Sequence, residues 1–320
     1  SSKFTMTGGV IKANIATVKS SSKSTLTISG DALFVGNIYL QNGIQANVTG
    51  GKIIGRIRMT KGSFTMSDGS ITGGIANDTE INYFGNNGGG VSVEGGNFTM
   101  TGGSIFENKA SLNGGGVYVN GGTFIMNGGS IYSNEANSGG GVFVNSGNAT
   151  ITAGSIGLLD KGNIASLNGG GIDVSGGIVT ISGGNIFYNK TLNNGGGLYL
   201  GGGTLNVENG VISNNTAING AGAYVLNTEF NLTGGTFKNN ISENYGGGFY
   251  VGNGSVVNLS NGVISNNEAL NGGGSYVNGG TFILTGGDAS YNKASKFGGG
   301  IYVLDGKVEL DGGSITNNTS

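Results

Sequence analysis

The side chains able to do chemistry in this chain are carboxylates, hydroxyls and amides. It contains no His and no Cys, which removes thiol nucleophiles, zinc and haem ligation and the Ser-His-Asp triad. What remains is acid–base work by paired carboxylates, or several carboxylates holding calcium. The acids Glu94, Glu107, Glu135, Asp160, Asp173, Glu208, Glu229, Glu243 and Glu268 are instead spread along the chain, one or two to each repeat. Asp160 and Asp173 come nearest to a site, because they lie in and after the irregular segment GLLDKGN at 157–163. They have no second carboxylate at a matching repeat position and no Arg beside them in sequence. The nonapeptide calcium pattern GGxGxDxUx is absent as well. The expectation is a protein that is not an enzyme and carries no metal or cofactor, with polysaccharide processing as the weaker alternative.

Amides, hydroxyls and aromatic rings recur far more regularly than the acids. A Gly cluster starts at Gly88, Gly114, Gly139, Gly169, Gly195, Gly220, Gly246, Gly272 and Gly298, at intervals of 26, 25, 30, 26, 25, 26, 26 and 26 residues. The long interval contains GLLDKGN. Each unit reads like GGGVYV, NGGTFIM, NGGSIYSNEANS: three short runs separated by Gly or Asn. Apolar residues alternate within the runs, as in Val117/Val119 and Phe124/Met126, and single aliphatic anchors such as Ile105, Ile131 and Ile186 mark the third. Period-two alternation over so few residues means strands with one buried face, and no stretch keeps a 3.6-residue period.

Three such strands cannot enclose a core alone. Stacked coil on coil they pair with their equivalents and form parallel sheets around a shared interior. The predicted fold is all-β: a right-handed parallel β-helix, a three-sided solenoid of about eleven coils with about 26 residues each, its hand following the preference of parallel crossovers. Gly at the corners accepts positive φ, and the absence of Pro keeps every ladder amide available. Composition agrees: 71 of 320 residues are Gly and none is Pro, without the Gly-X-Y period of collagen. With 36% hydrophobic residues regularly placed, it is no flexible linker either.

Residues 1–62 keep the alternation but lose the period, and read as irregular coils or a cap. Residues 63–320 form the regular repeats of a single elongated domain. The first 62 residues hold eight basic side chains and one acid, Asp31; the remainder holds seven basic and sixteen acidic ones. A net charge of −2 with no Arg outside one short segment argues against nucleic acid. No run of about 18 apolar residues occurs, so no membrane insertion by this segment is expected. Neither terminus carries a signal peptide, and the final GGSITNNTS stops part-way through a repeat. The chain therefore reads as a piece of something longer, continuing or stacking on another copy.

Three series of side chains recur once per coil. Asn108, Asn134, Asn163, Asn189, Asn215, Asn240, Asn267, Asn292 and Asn318 follow the third run and are expected to hydrogen-bond from coil to coil as a structural ladder. Asn113, Asn168, Asn194, Asn219 and Asn271 form a second, less regular series before the Gly cluster. At the centre of the first run, pointing outward, stand Tyr118, Phe143, Tyr199, Tyr224, Tyr250, Tyr276 and Tyr302, interrupted by Asp173. That row is either mutual stacking or a surface that grips a sugar, a protein or another copy. The outward second-run series is Thr65, Thr99, Ile125, Thr150, Thr180, Asn206, Asn231, Asn258, Ile283 and Glu309. Four Thr in ten is too irregular for an ice-binding face. Sequons such as Asn97-Phe-Thr, Asn148-Ala-Thr and Asn231-Leu-Thr matter only where the cell modifies them.

The pairing of I/F-x-x-N with a following GG-G/A-aliphatic, as in IFEN…GGGVYV (105–119) and FKNN…GGGFYV (237–251), resembles the repeats of polymorphic outer membrane proteins and of adhesin-like surface proteins. The likeness covers about 88–320, with fainter copies at 4–11 (FTMTGGVI) and 64–71 (FTMSDGSI). Here GGG mostly replaces GGA, Ile mostly replaces the motif Phe, and no outer-membrane barrel is present. The resemblance implies a β-helical, extracellular, cell-surface shaft for adhesion. Its implied partners are a host or neighbouring-cell protein or glycan, or other copies of itself. A structural fibre subunit assembling end to end is the second reading.

Overall fold

In a computed structural model, residues 3–18, 24–77 and 85–320 are described; Lys19 and Lys23, two of the eight basic residues of the first 62, lie outside them. All regular structure in these residues is β, and every pairing between named strands is parallel. The chain is a parallel β-solenoid. Its first ladder runs through 117–119, 142–144 and 172–174 to 301–303. The second runs from 3–6 to 307–310, and the third from 10–12 to 314–316, without a missing rung.

Register is what makes the stack a core. Phe64 pairs with Phe98 and Phe98 with Phe124, while Met66, Met100 and Met126 pair alongside. In these three coils each inward side chain therefore lies on its like, with Phe64–Phe98 and Phe98–Phe124 centroids 4.6 and 5.1 Å apart. One continuous cluster of buried residues extends from Met6 to Ala289. A one-residue slip in any coil would turn its whole apolar set outward.

The segment between the third run and the Gly cluster is not simply a corner. It contains a fourth, short strand, and nine such strands form a separate sheet from Ile75–Ala76 to Lys293–Phe297. Its inward positions are small: Ala76, Ala110, Ala136, Ala165, Thr191, Ala217, Ser242, Ala269 and Ala294 are all buried. The column lies beside the Gly cluster of the same coil, where the Ser242 hydroxyl accepts from the Ala221 N–H at 2.9 Å.

Residues 3–18 and 24–72 occupy the same first three ladders with shorter coils. Successive rungs of the second ladder there are 22, 20 and 18 residues apart, from Phe4 to Leu26, Ala46 and Phe64. The third ladder passes to the first through Gly36 in one coil and through Gly55 and Arg56 in the next, with no fourth strand between. At Gly36 φ is +134° and an added Cβ would meet the Ala13 carbonyl oxygen at 1.6 Å, so the shortcut requires glycine. The perimeter widens where the fourth ladder begins, and Arg56 sits at that step. It is 1% exposed, and its guanidinium donates to the carbonyls of Gly88, Gly85 and Asn87 at 3.0, 3.1 and 2.6 Å.

Candidate functional site

The ladder asparagines form one hydrogen-bonded column. From Asn108 to Asn292, each residue donates its backbone N–H and its Nδ2–H to the Oδ1 of the asparagine one coil later, at 2.8–3.1 Å. The other Nδ2 hydrogen of each goes back to a third-strand carbonyl of the preceding coil, from Ile71 O for Asn108 to Ala289 O for Asn318. Asn108 to Asn292 are at most 1% exposed. At every column position except Asn163, which follows Gly162, the chain enters through a left-handed residue that is not glycine: Glu107, Ser133, Tyr188, Asn214, Asn239, Asn266, Tyr291 and Asn317 have φ of 52–57°. That conformation costs roughly 1 kcal/mol or more for a residue with a Cβ, and the four-bond amide that follows offsets it.

The Gly cluster closes the same corner. In the coil of Asn189, Gly169 turns the chain at φ +62°, and Gly171 lies against the column. A Cβ on Gly171 would fall 2.6 Å from the Gly197 carbonyl oxygen, 2.8 Å from Ile186 Cγ2 and 3.0 Å from Asn189 Nδ2. The asparagines and the third glycine are therefore one packing unit.

The second amide series is discontinuous. Asn219 Nδ2 donates to Asn194 Oδ1 at 3.0 Å, but at the next coil the position is Tyr245, and Asn219 Oδ1 is left buried with no partner. Asn271 Oδ1 is in the same state where Phe297 follows it. Tyr245 and Phe297 turn to the aromatic row instead, stacking on Tyr276 and Tyr302 with centroids 4.6 and 5.8 Å apart.

That row is a packed column. Tyr118 and Phe143 stack at 5.8 Å; Tyr199, Tyr224, Tyr250, Tyr276 and Tyr302 stack in succession at 5.6, 4.4, 5.4 and 5.4 Å. Tyr118, Phe143 and Tyr276 are buried, and Tyr199, Tyr224, Tyr250 and Tyr302 are half-buried. The faces of the rings are thus used by each other. The turn before the Gly cluster also crowds the row: a Cβ on Gly114 would lie 2.9 Å from Tyr118 Cβ. Burial pushes the Tyr276 phenol up to about 12, with Tyr245, Tyr250 and Tyr302 adding to it, and raises Tyr224 further. The register carries the column past the Gly repeats to Ser92, Arg58 and Tyr39. Arg58 lies 5.2 Å from the Tyr39 ring centroid and holds Glu94 bidentately at 2.7 and 2.6 Å.

Asp173 interrupts the column between Phe143 and Tyr199. It is 1% exposed; burial raises its carboxyl to about 7, opposed by hydrogen bonds from the Ser175 and Ser138 hydroxyls. Asp160 is exposed at a left-handed turn within GLLDKGN. One carboxylate is thus inside the column and the other at a solvent-facing turn. Among the described residues no three acids gather in a group that could hold a metal ion.

The second-strand face is open. Two outward columns run along it: Thr25, Gln45, Ser63, Asn97, Thr123, Asn148, Ile178 and Thr204, and beside them Thr27, Asn47, Thr65, Thr99, Ile125, Thr150, Thr180 and Asn206. Between Lys3 and Glu229, the nearest charges at either end, none of these positions is charged. All are half-buried or exposed. At ~4.8 Å per rung the neutral stretch is roughly 34 Å long.

No family model, curated protein or solved structure matches this chain.

Proposed function

We propose that this chain is part of a rigid shaft displayed outside the cell, where it spaces and presents a binding face, and that it transforms no substrate. The likeness of its I/F-x-x-N and GG-G/A repeats to those of surface adhesins supports display at the cell surface. The observation that carries the reading is the neutral hydroxyl- and amide-bearing face between Thr25 and Asn206, held on unbroken register. Such a face suits an extended uncharged partner, a glycan before a protein, because hydroxyls and amides pair with sugar hydroxyls without desolvating a charge. The aromatic column serves the shaft, as its ring faces are spent on one another.

A panel of immobilised neutral polysaccharides tests this directly. Binding by the chain, lost on Thr99→Lys, Thr150→Lys and Thr180→Lys together with unfolding unchanged, is the expected result. No binding to any neutral glycan would remove the reading. Filaments in negative-stain microscopy would favour a fibre subunit, and released sugar would favour polysaccharide processing.

A further inference from the structure

Three of the ladder asparagines lie in acceptor sequences for N-linked glycosylation: Asn318-Thr319-Ser320 at the half-buried end of the column, and two within its fully buried stretch. Asn189-Lys190-Thr191 and Asn240-Ile241-Ser242 match Asn-X-Ser/Thr, because Thr191 and Ser242 stand where most coils have Ala in the small inward column of the fourth ladder. Both hydroxyls are buried and locally bonded: Thr191 Oγ1 donates to Leu167 O at 3.1 Å, and Ser242 Oγ to Gly246 O at 2.9 Å.

Glycosylation joins the sugar C1 to Asn Nδ2 as the C1–O bond to a lipid diphosphate breaks; the lipid diphosphate leaves and Nδ2 loses one proton. In the folded chain neither Nδ2 has a hydrogen to spare. Asn189 Nδ2 donates to Ile156 O at 2.9 Å and to Asn215 Oδ1 at 3.1 Å. Asn240 Nδ2 donates to Ile212 O at 3.1 Å and to Asn267 Oδ1 at 3.0 Å. There is no room either: a single methyl on Gly171 or Gly222 would already lie 3.0 or 3.2 Å from these nitrogens. By contrast, Asn97-Phe98-Thr99 and Asn148-Ala149-Thr150 place the asparagine exposed on the second-strand face and bury the middle residue.

We infer that the native fold and a glycan on Asn189 or Asn240 exclude each other in any one molecule, whereas Asn97 and Asn148 carry a glycan without loss of the fold. The protein reaches its native state by a route that leaves the two column amides bare. In a compartment that glycosylates nascent chains, Thr191 and Ser242 are the residues that block folding.

The test is to secrete the chain from a eukaryotic cell, separate protease-resistant from protease-sensitive material, and map occupancy by peptide mass spectrometry. The Thr191→Ala/Ser242→Ala variant, which restores the commoner repeat residue, is secreted in parallel. The expected result has sugar on Asn189 and Asn240 only in the sensitive fraction, sugar on Asn97 and Asn148 in resistant material, and a several-fold higher resistant yield for the double variant. Resistant chains carrying sugar at Asn189 or Asn240, or no gain in resistant yield from the double variant, would overturn it.

Discussion

Asn134 donates both its backbone N–H and its Nδ2–H to a single atom, Oδ1 of Asn163, at 3.1 and 2.9 Å. The irregular segment GLLDKGN ends in Asn163 itself, yet the bond pair is the same as in coils without it. The column therefore fixes the vertical position of each coil, and insertions are tolerated where they leave the column untouched.

Replacing one mid-column residue, Asn215→Ala, removes four hydrogen bonds and strands buried donors of Asn189. A loss of about 3 kcal/mol or more is expected, read as a fall in the denaturant midpoint. Asn209→Ala, outside the column, is the comparison and is expected to change stability by less than about 1 kcal/mol.

Gly171→Ala forces a methyl between a carbonyl and Ile186, and severe destabilisation or insolubility is expected. Gly8→Ala meets nothing within 4 Å and should leave the melting temperature nearly unchanged. Thermal unfolding of the two variants separates crowding from the general effect of adding a methyl.

Asp173 gives the fold a pH dependence with a definite sign. Its native value of about 7 lies above the ordinary Asp value of roughly 4. Between those values the native state keeps a proton that the unfolded state releases, so stability falls as pH rises through that window and stays low above it. Asp173→Asn removes this dependence: it is expected to raise stability near pH 8, by a few kcal/mol at most, and to change it little near pH 4. Melting curves across that range check it; an unchanged or lower stability near pH 8 would contradict the burial of a free carboxyl.

Changing Tyr224, Tyr250 and Tyr276 together to Ser removes four stacked contacts of the outward row and the Tyr245 contact. At roughly 0.5–1.5 kcal/mol per aromatic pair, the variant should unfold several kcal/mol earlier. If it unfolds like the parent, the row is not a structural column.

The repeat was legible because the Gly cluster, the third-strand anchor and Asn108 to Asn318 recur at nearly fixed spacing, and a solenoid places equal spacing at equal height. The fourth ladder was not, since strands as short as Lys109–Ala110 and Lys190–Thr191 leave no room for alternation to show. The N-terminal coils hid their period because Gly36 and Gly55 replace the whole fourth side, so Tyr39 and Arg58 could not be aligned with Tyr118. Alternation correctly set the aromatic row off the core, but it carries no information about the neighbouring turn, where Tyr245 and Phe297 pack against it. The left-handed corner before the column residues was signalled only where it is Asn, at Asn214, Asn239, Asn266 and Asn317; Glu107, Ser133, Tyr188 and Tyr291 at the other coils hid it.

The central claim is a rigid stack with one rung per coil, and a distance along the second-strand face measures it. The chain has no Cys, so spin labels attach only at introduced sites, Thr65→Cys and Asn258→Cys, which lie seven rungs apart in the register. A narrow distribution centred at about 34 Å is predicted from ~4.8 Å per rung. A broad distribution, or a sharp one far from that distance, would contradict the stacked shaft and the binding face built on it.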